Sequence, residues 1–163
     1  MDNIVFVGLG SNKNDRIAYI KKALFYISEN ELNTVEKISS LYESKPYGVK
    51  GQGNFYNAAA KIKTQLSIKD FFIFCKKIEK KVGRTKSIKW GAREIDIDIL
   101  FYNDLIYSDN ELTVPHAEFL LRDFAFVPVI EINPDLIHPV LNKKLSEIEF
   151  GNIEKNIIKK FTF

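Results

Sequence analysis

Apolar positions along the chain alternate between two spacings, and the changes of spacing mark out the elements. Ile4-Val5-Phe6-Val7 is a continuous apolar run of strand length, closed by Gly8-Leu9-Gly10-Ser11-Asn12. Ile17, Ile20, Leu24 and Ile27 then recur at helical spacing behind the cap-type residues Asn14 and Asp15. Thr34 to Tyr42 predicts a strand of weak alternation, and the breaker-rich stretch from Pro46 to Gly53 predicts a loop. Asn57 to Lys63 alternates, with Ala58, Ala60 and Ile62 facing one way and Asn57, Lys61 and Lys63 the other. Ser67, with Asp70 three residues on, predicts a second helix whose stripe is Phe71, Phe74, Cys75, Ile78 and Val82 and whose stop is Gly83. Arg84 to Arg93 is polar and basic, and Glu94 to Tyr102 alternates as a strand.

The order strand, helix, strand, strand, helix, strand predicts an α+β fold. It is that of a ferredoxin-like βαββαβ core, an antiparallel sheet covered by helices. Beyond Asn103 short elements are expected around the loop holding Pro115-His116, ending in a lysine-rich stretch. The 163 residues suit one domain, with a core to about residue 140 and a tail over 141–163.

Composition narrows the classes. With 45% hydrophobic and 28% charged residues the chain is expected to fold rather than stay disordered. A net charge of +3 is too small to argue for nucleic acid or a membrane surface, though it allows a locally basic cleft. The lone Cys75 has no internal disulfide partner, which points to a reducing, cytoplasmic setting. No signal peptide or spanning helix is readable. Oligomeric state is not legible, and a monomer is the default.

The sharpest chemical signal is Glu94-Ile95-Asp96-Ile97-Asp98-Ile99-Leu100. Period two sends Ile95, Ile97 and Ile99 to the core and leaves Asp96 and Asp98 together on the other face, about 7 Å apart. Two carboxylates at that distance repel by roughly 0.6 kcal/mol in water and about 2–3 kcal/mol at intermediate dielectric. Aspartate is also a poor strand residue. A magnesium ion removes both objections, since it accepts one or two carboxylates together with phosphates. A solvated strand face is the alternative. The cations just upstream, Arg84, Lys86, Lys89 and Arg93, favour a polyphosphate bridged through metal over an exposed basic loop.

Both common nucleotide fingerprints fail: there is no Walker-type lysine loop, and Gly8-x-Gly10 is followed by Lys13 where a third glycine belongs. Phe55 and Asn57 share a strand face that would suit a flat, heteroatom-rich ligand, with core packing as the alternative for Phe55. Phe124 is a second such ring. His116 and Arg122 together would donate to phosphate, although each also has an ordinary structural or surface role open to it.

In this order these pieces resemble the 6-hydroxymethyl-7,8-dihydropterin pyrophosphokinases of folate biosynthesis. The matching text is Gly10-Ser11-Asn12, Ser39-Ser40-Leu41-Tyr42, Tyr56-Asn57-Ala58-Ala59, Ile78-Glu79 with Gly83-Arg84, Trp90-Gly91-Ala92-Arg93 leading into Asp96-Ile97-Asp98, and Val114-Pro115-His116 with Arg122-x-Phe124. The resemblance implies transfer of pyrophosphate from ATP to the pterin hydroxymethyl group, with two magnesium ions on Asp96 and Asp98. It places ATP contacts at Lys76, Glu79, Trp90, Arg93, Ile99, Thr113, His116 and Arg122, with Lys86 or Lys89 as the loop lysine. It places pterin contacts at Ser44, Tyr47, Phe55, Asn57 and Phe124, and Arg84 and Arg93 nearest the transferring phosphates. Glu94 stands where the family usually has threonine, and is expected to share the Asp96 face and pair with Arg93 or Lys89. The rival reading is a ferredoxin-like module that binds RNA or a small molecule without catalysis. The RNA version lacks the expected Arg/Lys-Gly-Phe text.

Overall fold

The computed structural model describes residues 1–48, 51–86, 89 and 91–163. Its main sheet is antiparallel throughout. Along one path it runs β10 (Ile157–Phe161), β3 (Leu41–Ser44), β4 (Phe55–Thr64), β1 (Asn3–Ser11) and β5 (Asp96–Tyr102). A further strand, β2 (Asn33–Ile38), pairs with β4 beyond β3.

Two helices cover one face. In α1 (Arg16–Ser28) the Asp15 side chain caps the first turn by accepting from the Ala18 N–H. In α2 (Ile68–Val82) Ser67 does the same for Asp70, and Gly83, at φ 121°, ends the helix in a conformation that L-residues avoid. Ile20, Ala23, Leu24 and Ile27 of α1 pack with Phe71, Cys75, Ile78 and Val82 of α2. Beneath them lie Val5, Val7, Leu9, Ala58, Ala60, Ile62, Ile97 and Ile99, the alternate residues of three strands. The anticipated two-residue periodicity therefore holds in β4 and, in β5, from Asp96 to Ile99; a register shift against β1 then breaks it, and Phe101 joins the opposite face.

The opposite face is covered only at one end. There α3 (Asp123–Ile132), a helical turn at Phe119–Leu121 and the segment around Leu145 pack Phe119, Phe126, Val129 and Ile132 onto Phe6, Ala59, Leu100 and Phe101. Two small ribbons complete the chain, β6 (Tyr107–Ser108) with β7 (Thr113–Val114) and β8 (Ile137–His138) with β9 (Lys143–Lys144). Among the described residues the rest of this face is open.

Three boundaries differ from expectation. β1 continues through Gly8 and Gly10 to Ser11 instead of turning at Gly8, because both neighbours keep pairing with it: Gly10 stands opposite Asn57 on one side and Asp96 on the other. The strand expected over Thr34–Tyr42 is split at Ser39-Ser40, where the Ser39 hydroxyl accepts from the Ala59 N–H at 2.8 Å and takes over the ladder. The lysine-rich stretch near the C-terminus supplies the edge strand β10. Among the described residues no helix is long and apolar enough to cross a membrane.

Phe71 is fully buried between the two helices and the sheet. Phe71→Ala is expected to lower unfolding free energy by about 3–5 kcal/mol, the range for large-to-small core changes. Urea denaturation measures it, and a loss under about 1 kcal/mol would mean the helix layer collapses freely around the void.

Candidate active site

The open part of the sheet face forms a cleft of about 450 Å³. Its floor is β1, where Gly8 and Gly10 present no side chain. A Cβ on Gly8 would touch the Leu100 side chain at 3.5 Å, and one on Gly10 would stand 3.1 Å from Asn57 Oδ1. The local pattern read these two glycines as the close of the first strand and as a failed nucleotide fingerprint. They are strand residues that keep the floor low between an acidic strand and a polar, aromatic one.

On one side β5 presents Asp96 and Asp98 to the cleft, while Ile97 and Ile99 go to the helix-side core. Asp96 is bracketed by two guanidinium groups: Arg84 donates to Oδ1 at 3.1 Å and Arg93 to Oδ2 at 3.0 Å. Arg84 is anchored in turn by Glu79, at 2.7 Å. Glu79 is only 3% exposed, and its other oxygen accepts from the Ile97 N–H at 2.9 Å. So the α2 carboxylate secures both the strand between the two aspartates and the arginine that neutralises one of them. Asp98 accepts no hydrogen bond among the described residues. Burial, and then the Asp96 charge, push its carboxyl well above the usual carboxylate range. A half-buried carboxylate with no donor, beside a second one, is an oxygen donor set that suits a hard divalent cation. Among the described residues no third His, Cys, Asp or Glu joins it to form a metal-holding group.

His116 sits across from this pair. Its N–H donates to the Leu100 carbonyl at 3.0 Å, tying its loop to β5. The Nδ1 atom accepts from the Glu118 N–H at 3.2 Å, and burial, then Arg122, hold the ring's pKa below its ordinary value. The ring is therefore neutral with its proton on Nε2, a hydrogen-bond donor. The Arg122 guanidinium pairs with Glu118 and lies 4.8 Å from the Tyr47 ring centroid.

On the other side Asn57 donates to Ser44 Oγ at 2.6 Å, which leaves Oδ1 toward Gly10 and the cleft. Phe55 lies beside it, and Tyr47 and Phe124 meet edge-on at 6.1 Å between centroids. A planar ligand and a polyphosphate would thus share one cleft.

Of the residues anticipated above, the cleft brings together the pair of aspartates, Arg84, Arg93, His116, Arg122 and the five pterin-side residues. It does not bring in the side chains of Lys76, Glu79, Lys86, Ile99 or Thr113. Lys76 bonds to Glu79, Lys86 is exposed, Ile99 faces the helix-side core and Thr113 meets Ser108 at 3.0 Å. Trp90 lies outside the described residues. Of the two loop lysines, Lys89 lines the cleft.

Local pattern missed two tethers. Asn12, in the matched Gly-Ser-Asn text, accepts from the Arg93 N–H at 2.8 Å through Oδ1 and donates to Gln52 and Gly53 through Nδ2. Glu94 was expected to pair with Arg93 or Lys89. Instead it is buried, takes Lys13 at 2.9 Å and accepts from the Thr85 hydroxyl at 3.1 Å. Thr85 comes from the start of the basic segment and Lys13 from the β1–α1 turn, contacts that strand alternation does not encode.

A family model for 7,8-dihydro-6-hydroxymethylpterin-pyrophosphokinase (HPPK) matches residues 6–134. The chain belongs to this family. It is 47% identical over 151 residues to 2-amino-4-hydroxy-6-hydroxymethyldihydropteridine pyrophosphokinase of Aquifex aeolicus, covering 93% of each. To the Bacillus subtilis protein of the same name it is 38% identical over 132 residues, 81% of this chain and 79% of that one. In fold it is similar to wild-type Plasmodium falciparum HPPK-DHPS crystallised with pteroate, with a TM-score of 0.71 at 17% identity. That match covers 90% of this chain and 41% of the larger one.

Glu94 provides a pH test of the HPPK scaffold. Burial alone would raise its pKa, but the Lys13 hydrogen bond, then backbone and Thr85 donors, lower it from 4.5 to about 2. A carboxyl depressed on folding contributes stability above its unfolded pKa and loses it as pH falls toward the folded one. Glu94→Gln should therefore show its full destabilisation above about pH 4.5 and converge on the parent near pH 2. Unfolding free energies across that range measure it, and a pH-independent gap would place the Glu94 contribution in packing alone.

Proposed function

We propose that the chain transfers pyrophosphate from Mg-ATP to the hydroxymethyl oxygen of 6-hydroxymethyl-7,8-dihydropterin, releasing AMP and the pterin pyrophosphate. The observation that carries this is the division of one cleft. Carboxylates flanked by arginines lie on one side of Gly10, and an amide flanked by aromatic rings lies on the other. The hydroxymethyl oxygen bonds to the β-phosphorus as the bond from that phosphorus to the α–β bridging oxygen breaks, and the hydroxyl proton leaves to solvent.

Such a transfer asks the protein mostly for positioning and charge stabilisation. Asn57 Oδ1 accepts from a pterin N–H, and Phe55 and Phe124 supply faces for the ring. Arg84 and Arg93 turn from Asp96 toward the phosphates when these arrive, and the His116 Nε2–H donates to a phosphate oxygen. Asp96 and Asp98 would hold two magnesium ions. When bound, magnesium offsets phosphate charge and lowers the pKa of a coordinated hydroxyl.

Lys76, Lys89, Thr113, Trp90 and the Ile99 backbone complete the ATP side in this reading, and Glu79 acts from behind through Arg84. The sheet order β5-β1-β4-β2/β3, with α1 and α2 on one face, supports a ferredoxin-like core. The whole chain is read as one cytoplasmic, monomeric domain.

Incubation with Mg-ATP and the hydroxymethyl pterin is expected to yield AMP in step with pterin pyrophosphate. Formation of ADP would make the chain an ordinary kinase and overturn the assignment. Asp96→Asn and Asp98→Asn should each reduce turnover by about a hundredfold or more while the fold persists, equivalent to about 2.7 kcal/mol of transition-state stabilisation. Near-normal turnover of either variant in magnesium would remove it from the metal site. Gly10→Ala should weaken pterin binding by about tenfold, since the new methyl crowds Asn57 Oδ1, with Mg-ATP affinity held. Equal losses for both ligands would mean that the floor, not the amide, had been disturbed.

A further inference from the structure

Asp123 opens α3 between Arg122 and Phe124, and its side chain is buried behind the pterin side of the cleft. A carboxylate is costly to bury without partners. Here the partners are three backbone N–H groups: Phe124 at 2.8 Å on Oδ1, with Asn156 at 2.8 Å and Ile157 at 2.9 Å on Oδ2. One side chain thus joins the start of α3 to the start of β10, 33 residues further along.

The connection continues. The Asn156 carbonyl accepts from the Lys45 N–H at 2.9 Å, and Ile157 pairs with Ser44. Ser44 Oγ accepts from Asn57. Hydrogen bonds and strand pairing therefore run from Phe124 through the C-terminal strand to Ser44 and Asn57. Those residues all line the slot that the proposed function gives to the pterin, and this argument rests on that reading. β10 itself buries little: Ile158, Lys159 and Lys160 are exposed, Phe161 meets Tyr56 at 5.6 Å between ring centroids, and Lys160 lies 5.9 Å from the Tyr42 ring centroid. Core packing is a weak reason for the strand to be held so closely. Arg122, on the phosphate side, has its own anchors in Glu118 and the Tyr47 ring.

We propose that Asp123 is a positioning residue for pterin, which uses the Asn156–Ile157 end of β10 to set the position of Phe124 relative to the Ser44–Asn57 pair. The C-terminal strand, beyond residue 134 where the family model ends, is then part of pterin recognition.

The test uses the full chain with Asp123→Ala and Asp123→Asn. Calorimetry measures hydroxymethyl-dihydropterin binding in the presence of a non-hydrolysable Mg-ATP analogue, and binding of the analogue alone. Asp123→Ala should weaken pterin by about tenfold or more, the effect of orphaning buried donors. The analogue's affinity should stay within about twofold. Asp123→Asn should fall between, because its one oxygen still accepts from residues 156 and 157 while the Phe124 N–H loses its acceptor. In turnover the pterin KM rises and kcat changes less. Parental pterin affinity in both variants overturns the proposal, as does a parallel loss of both ligands with a lower Tm, which is a purely structural role. If Asp123→Ala fails to fold, Asp123→Asn decides alone by the same criteria. Asn57→Ala separates the two levels. Weakened pterin there with unchanged Asp123 variants leaves the slot standing and removes Asp123. Normal pterin binding by Asn57→Ala removes the slot reading and this proposal together.

Discussion

Charge balance at Asp96 governs the arrangement of the site. Two aspartates on one face of β5 repel by about 2–3 kcal/mol at the dielectric of a cleft. Charge-assisted hydrogen bonds contribute roughly 1.5–3 kcal/mol each. Arg84 and Arg93, one on each oxygen of Asp96, therefore outweigh the repulsion, and the strand tolerates residues that ordinarily disfavour it. Arg84 can do this because Glu79 fixes it from α2, and Glu79 also binds the backbone between the two aspartates. The same arginines are the cations that an arriving polyphosphate would claim. Ligand-free balance and ligand recognition would then draw on one set of charges, so that binding would exchange partners at Asp96 rather than add new ones.

Much of this was legible along the chain, and the limits have physical causes. Alternation over Asn57–Lys63 and Asp96–Ile99 separated the helix-side core from the other face, while past Ile99 a register shift that local pattern does not encode sends Phe101 to the second core. The caps of α1 and α2 were visible because Asp15, Ser67 and Gly83 act within three or four residues. The end of β1 was misread because Gly8 and Gly10 carry the composition of a turn, while pairing on both edges keeps them extended. The break at Ser39-Ser40 depends on a hydroxyl meeting Ala59, which strand periodicity does not contain. In the site, Asp96, Asp98, Asn57 and Phe55 could be placed by face alone. Glu94 could not, since its partners Lys13 and Thr85 arrive from other segments.

The tethers at Asn12 and Glu94 give the two ends of the basic segment different supports. Glu94 holds Thr85 near its start, and Asn12 holds Arg93 at its close through paired backbone and side-chain bonds. Asn12 also reaches Gln52 and Gly53, so the loop before β4 and the basic loop before β5 share one amide. Side-chain amides suit such a junction because they donate and accept at once. Ser11 beside it, the last residue of β1, is fully buried, which shows how closely the chain is packed where the loops meet.

The division of the sheet into a helix-covered face and a ligand face also decides where reactive chemistry is available. The single thiol, Cys75, lies wholly within the helix-side layer, and burial, then Glu79, push its pKa far up. It is neither a nucleophile nor near the cleft. Sulfur-directed electrophiles therefore find no target among the residues that line the cleft. The same sequestration makes Cys75 a built-in gauge for the other side of the molecule, since alkylation there requires the helices to part from the sheet.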